Sequence, residues 1–296
     1  MYRLRRWAPG FLLILPSLIA LGIFVYGFLG RNVQVSLSNW RGLAPRYDYV
    51  GFDNYTRLAH DPRFTGDVKN VVVFTLIFVG GALVAGFLLA LLLERGVKAE
   101  GFFRGVFLFP MAISFIATAV IWRWLMSNAS GAQETGLNKL FREAGLGFLV
   151  NDWFKSDTVF AMAAVALAAG WALVGYIMAL FLAGIRGVSD DLREAARVDG
   201  ASEPKVFWYV VGPMLWPVVT AAIVILAHIS LKTFDLIYAM DPKSRKIETP
   251  ALYMWFTTFD GFFFSRGAAI ATLLVLGIAV VIVPYIWYSM RSERRR

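Results

Sequence analysis

The chain has 296 residues, of which 58% are hydrophobic and 17% charged. A soluble domain carries roughly 25% charged residues, so the composition points to a lipid-embedded protein. The formal charge of +9 would suit a nucleic-acid binder, but in a membrane chain the distribution of basic residues over the loops is the informative quantity.

Cutting the sequence at every Asp, Glu, Lys and Arg leaves six uncharged windows of 18 or more residues: 7–30, 70–93, 105–122, 158–185, 206–231 and 267–290. A helix rising ~1.5 Å per residue needs ~20 residues to cross ~30 Å of hydrocarbon, so each window is about long enough. The expected spans are 8–30, 70–93, 105–125, 158–184, 212–236 and 267–289. Core helices of a soluble protein are the alternative, but they rarely yield six such windows in one chain. Arg3, Arg5 and Arg6 precede the first window and could open a cleaved leader. That window exceeds the roughly 7–15 apolar residues of a leader, and no clear cleavage site follows it, so a retained first helix is expected.

Alternating the loops from a cytoplasmic N-terminus places 14 of the 29 Lys and Arg in four short inner segments: 1–6, 94–104, 186–205 and 291–296. The other 15 are spread over much longer outer stretches, with Arg123 at the outer end of the third span. Positive density then predicts both termini on the cytoplasmic side. The tail of Arg291, Arg294, Arg295 and Arg296 reads as a stop-transfer anchor. The fold class expected is an all-α membrane protein of six transmembrane helices, a single membrane domain over 1–296. Small residues recur at every fourth position, as Ala82, Gly86 and Ala90 and again as Gly175, Ala179, Ala183 and Gly187. Such stripes let helix backbones approach closely, within the chain in preference to a subunit interface.

Chemistry-bearing motifs are missing. With no cysteine and only His60 and His228, neither a thiolate nor a His-rich metal site is expected. No phosphate-binding loop occurs, nor a His-Glu-x-x-His or Gly-x-Ser-x-Gly run. The windows hold no ionisable carboxylate, lysine or arginine, which argues against an intramembrane enzyme and an ion-coupled secondary transporter.

The stretch between the fourth and fifth windows, about 186–211, is different. Ser189 is placed to cap a helix, and Asp190 and Asp191 suit the positive end of its dipole. Leu192, Ala195, Ala196 and Asp199 then share one shallow face. Gly200 is placed to end the helix in a left-handed cap, and Ser202 to open a second helix with Pro204 in its first turn. On physics alone this helix–Gly–helix suits a lipid-surface loop as well as a docking element.

Glu194-Ala-Ala-Arg-Val-Asp-Gly-Ala followed by Val210-Val-Gly-Pro213 resembles the EAA loop of ABC importer permeases. Gly200 and Pro213 fall at matching positions, and Gly212 replaces the usual Leu. The resemblance runs over nearly the whole chain, to carbohydrate-type permeases similar to the larger maltose permease subunit. Its other carriers are Val50-Gly-Phe-Asp-Asn-Tyr55 with Asp61-Pro-Arg-Phe64, then Gly136-Leu-Asn138, and Thr233-Phe-Asp-Leu-Ile-Tyr238. Met240-Asp-Pro-Lys-Ser-Arg departs from the family's Thr-x-Gly-Gly-Pro.

The resemblance implies a type I ABC importer permease fold in a bacterial or archaeal cytoplasmic membrane. The chain would be a transporter subunit rather than an enzyme, and would form half of a sugar pathway with a homologous second permease. Two ATPase subunits would carry ATP and Mg²⁺, and an external binding protein would deliver the sugar. Glu194, Ala195, Ala196, Asp199, Gly200 and Ala201 would dock on an ATPase subunit: Glu194 as a charged contact, the alanines for close approach, Gly200 for the turn. Ser114, Trp171, Tyr176, Ser230 and Phe234 have the chemistry of sugar contacts, aromatic faces and hydroxyls, and suit plain helix packing equally. A glycerol phosphate or polyamine permease of the same class is the competing reading.

Overall fold

The computed structural model describes residues 2–129 and 131–293, with side chains for 11–129, 131 and 133–287. Arg294, Arg295 and Arg296 of the expected anchor lie outside the described residues. Among those described, every regular element is helical, and the one β-type contact is an isolated antiparallel bridge between Ser38 and Tyr49.

In chain order the helices begin with α1 (Tyr2–Leu21), which continues through a widened turn at Gly22–Gly27 into α2 (Phe28–Ser36). Next come α3 (Asp53–Ala59), α4 (Pro62–Glu94), α5 (Glu100–Leu108), α6 (Phe115–Leu125) and α7 (Gly136–Glu143). Then follow α8 (Thr158–Arg186), α9 (Asp190–Val198), α10 (Glu203–Val206), α11 (Gly212–Met214) and α12 (Trp216–Leu231). The last three are α13 (Asp235–Met240), α14 (Pro250–Trp255) and α15 (Phe264–Glu293).

Four stretches are long and apolar enough to cross a membrane unbroken: Phe11–Ser36, Pro62–Glu94, Thr158–Arg186 and Phe264–Trp287. The count reaches six if two bent helix pairs each make one span. Over the third expected span, 105–125, the helix is not continuous. Its helix stops at Leu108, tightens over Phe109–Ala112 and restarts at Phe115 after a 100° bend. Pro110 lacks the N–H that would continue the ladder, and the Ser114 hydroxyl caps the next helix by accepting from the Ala117 N–H at 3.2 Å. Around the fifth expected span, 212–236, the helical path runs from Glu203, bends by 56° around Leu215 between Pro213 and Pro217, and ends at Leu231. Its expected last turn belongs to the separate helix α13.

The chain divides into two compact units, residues 66–252 with 276–296 and residues 1–65 with 253–275. Helix α8 is the core of the first: 61% of its apolar window is buried, against 28% for α4. It packs on α5, α6 and α12. Small residues make this possible. A Cβ built on Gly175 would lie 1.8 Å from the Phe107 carbonyl oxygen, and one on Gly86 would lie 2.6 Å from Ile177 Cγ2. The two glycines therefore serve packing within the chain, whereas Ala183, further along the α8 stripe, stays exposed.

The loop segments that carried the family resemblance act as staples in this unit. Asn138, 3% exposed, donates from Nδ2 to the carbonyls of Asn151 (2.8 Å) and Ser127 (3.2 Å). Its Oδ1 accepts from the Trp153 indole at 3.0 Å. Gly136, at φ +70°, passes so close to α6 that a Cβ would sit 2.2 Å from the Leu125 carbonyl oxygen. Asn70 holds the departing 241–248 turn by donating to the Glu248 carbonyl at 2.9 Å.

In the other unit, Leu58, Phe64, Tyr253, Ala269 and Ile270 form a small core. Asn54 donates to the carbonyls of Ser36 and Ser38, both at 2.9 Å, and Tyr55 meets the Ser36 hydroxyl at 2.6 Å. Asp61 accepts from Tyr253 Oη at 2.7 Å and from the Arg63 N–H at 2.9 Å, and pairs with Arg266. Burial opposes the charged form of Asp61, but those hydrogen bonds and the Arg266 charge outweigh it and hold its pKa below the usual value. In the apolar window of the Phe11–Ser36 stretch none of the described residues is buried.

Candidate functional site

The helix–Gly–helix expected between the fourth and fifth spans is present, and its turn has an identifiable cause. Gly200 stands at φ +82°, where an L side chain is strained. The Gly200 N–H donates to the Arg197 carbonyl and the Ala201 N–H to the Ala196 carbonyl, both at 3.0 Å. This paired arrangement satisfies two carbonyls that α9 would otherwise leave open. Arg197 donates from Nε to Glu203 Oε1 at 2.7 Å, tying α9 to α10 across the turn. The bond to Glu203 raises the Arg197 pKa, so the bridge stays charged at physiological pH.

The expected capping by side chains is corrected. Ser189 and Ser202 have the extended-type ψ of N-caps, yet neither side chain accepts a capping bond. The start of α9 rests instead on Asp190 and Asp191 at the positive end of its dipole. Pro204 lies in the first turn of α10, where its missing N–H costs nothing.

Glu194, Ala195, Asp199 and Gly200 are exposed, and Ala196 and Ala201 are half-buried. Leu192 is 45% exposed and Val198 86%, two apolar side chains turned outward on a helix of mostly charged residues. On the shallow face Leu192, Ala195 and Asp199 are exposed and Ala196 is half-buried, so among the described residues the face is open to a partner surface.

Beneath the module lies a set of charges that motif reading passed over. Arg186, the last residue of α8, forks onto Glu100 at 2.8 and 2.9 Å and reaches Glu94 at 3.1 Å. Arg193 of α9 pairs with Glu94 at 3.5 Å and donates to the Ile185 carbonyl. Arg104 stands 3.7 Å from Glu100. The sequence signal was the acidic and basic residues flanking the uncharged windows, which loop counting treated only as topology markers.

The five expected pathway residues do not converge on one site. Ser114 is the cap at the 100° bend. Trp171 meets Trp122 edge-on at 6.1 Å, and both line an apolar cavity of about 380 Å³ between α4, α6 and α8. Phe234 stacks on Tyr238 at 5.4 Å and lines a separate cavity of about 140 Å³ with Phe74, Phe115 and Lys232. Ser230 is fully buried and bonded to Thr75 and the Ala227 carbonyl, both at 2.8 Å, which makes it a packing residue. Tyr176 is half-buried on α8 and lines neither cavity. Phe78, which lines both cavities, was not anticipated.

Four to six apolar helices, with an open helix–Gly–helix pinned to three of their ends, define a polytopic membrane protein with an exposed docking element among the described residues. Residues 82–295 match the family of binding-protein-dependent transport system inner membrane components, and the chain belongs to that family. It is thus an inner-membrane transport subunit of the ABC permease type, not an enzyme. A Pyrococcus horikoshii protein described as "Probable ABC transporter permease protein" is 39% identical over 96% of both chains. A xylose/arabinose import permease protein of Haloferax volcanii is 33% identical over 93% of this chain and 86% of its own length. Among solved structures, a chain of a bacterial ABC transporter involved in the import of the acidic polysaccharide alginate shares the fold. Its TM-score is 0.79 at 19% identity, covering 99% of this chain and 98% of that one.

Proposed function

We propose that this chain is the membrane-spanning permease of an ATP-driven, binding-protein-dependent sugar importer, and that residues 186–211 couple it to an ATPase subunit. The observation that carries the coupling role is the open module, with its Gly200 turn, its exposed Leu192 and Val198 and its exposed Glu194 and Ala195. A rigid turn with a shallow face suits insertion into a groove on a partner, whose closure then biases the pathway between two states.

The sugar assignment is supported by the loop segments resembling carbohydrate permeases and by the Haloferax volcanii relative, a xylose/arabinose import permease. In this reading residues 1–296 act as one membrane-embedded domain with both termini on the cytoplasmic side. A second, homologous permease completes the pathway, an external binding protein delivers the sugar, and ATP and Mg²⁺ reside on two ATPase subunits. Trp171 and Trp122 beside the 380 Å³ cavity, and Phe234 beside the smaller one, are the aromatic faces on which a sugar ring would stack.

The test is uptake of labelled solutes into vesicles holding both permeases and the ATPases, with the binding protein outside. ATP-dependent uptake of a neutral mono- or oligosaccharide supports the assignment. Uptake confined to a phosphate ester, a polyamine or an amino acid overturns it.

A further inference from the structure

We propose that Arg186 is a positioning residue: with Glu94, Glu100 and Arg193 it clamps the module to three span ends, so that the module and these helices move as one body. The proposal rests on the coupling reading of residues 186–211. Three helix ends and one helix interior meet at this cluster, namely the last residue of α4, the first of α5, the last of α8 and the second turn of α9. Arg186 touches two of the other ends directly through Glu94 and Glu100. Arg193 returns from α9 to Glu94 and to the Ile185 carbonyl in the last turn of α8.

Two features separate this cluster from ordinary surface charge. Glu94 sits at the negative end of its own helix dipole, where a carboxylate is unfavourable, and two arginines reach it there. Arg186 holds Glu100 in a two-pronged fork, which fixes direction as well as distance. The Nε of Arg193 is buried and has no hydrogen-bond partner, so the cluster is not fully satisfied in this arrangement.

The chain holds no cysteine, so pairs of spin labels are introduced cleanly. Labels at Lys98→Cys and Asp191→Cys report the distance between the module and the α4–α5 turn in the assembled transporter. With Arg186 in place, one narrow distance peak is expected with and without nucleotide. Arg186→Gln should abolish the single peak and lower sugar uptake per ATP hydrolysed by roughly fivefold or more, the lower end of usual coupling factors. If Arg186→Gln prevents assembly, the isosteric Glu94→Gln/Glu100→Gln variant is read by the same two measurements. An assembled variant in which either readout stays at the wild-type value overturns the proposal. Failure of the underlying coupling reading looks different: Gly200→Val would leave uptake per ATP unchanged while the Arg186 variant still loses its single peak.

Discussion

Substitution of Gly200 isolates what its backbone contributes. A Cβ built there meets no heavy atom of the chain within 4 Å, so within this subunit the cost of a side chain is conformational only. At φ +82° an alanine is disfavoured by roughly 1–2 kcal/mol relative to glycine, asparagine by less, and a β-branched valine by more. At about 1.4 kcal/mol per factor of ten, alanine reduces the population of the present turn by about tenfold, and valine further. The expected order of ATP-coupled uptake is therefore Gly, then Asn, Ala and Val, with the complexes assembled to equal extent. The assay is uptake and stimulated ATP hydrolysis in reconstituted complexes, alongside helicity of the detergent-solubilised chain. Wild-type uptake in Gly200→Val would refute the role of the turn. Equal loss in the Asn and Val variants would refute the conformational reasoning and point to a steric contact supplied by a partner.

Single cysteines near Arg46, Lys139 and Lys243 should react with impermeant thiol reagents from outside, and those near Lys98 and Arg197 should not; the opposite pattern inverts the topology. Asn138→Ala strands the buried Trp153 indole N–H and the carbonyls of Ser127 and Asn151, at about 1–3 kcal/mol per unmet buried group. Its melting temperature in detergent should fall clearly, and an unchanged value would deny that this side chain staples the loop. Asp61 has a depressed pKa in the fold, so its contribution is fully present above the ordinary carboxylate value, about 3.9. That contribution is lost as pH falls through the lower, folded value. Asp61→Asn should lower stability at neutral pH and flatten its decline in acid, and an acid profile matching the wild type's would rule the contact out.

Much of this architecture was legible in the chain because lipid is a demanding solvent. A span must be long and uncharged, so the runs around 70–93 and 158–185 announced α4 and α8 without reference to any other part of the molecule. The Gly200 turn was equally local: a helix stop, a positive φ and a restart with Pro204 in its first turn are properties of a dozen neighbouring residues. Composition did not reveal the 100° bend at Ile113–Ser114, because the 105–122 window is uniformly apolar and Pro110 alone does not fix a direction. That direction comes from packing, with α5 and α6 both laid against α8 and Gly175 admitting the Phe107 carbonyl. The pathway residues were chosen for their chemistry, yet burial at 0% turned Ser230 into a packing residue and placed Phe78 between two cavities. The clamp beneath the module was beyond sequence reading for the same reason. Glu94 and Arg186 are 92 positions apart, and only the folding of α4 against α8 brings their opposite charges within hydrogen-bonding distance.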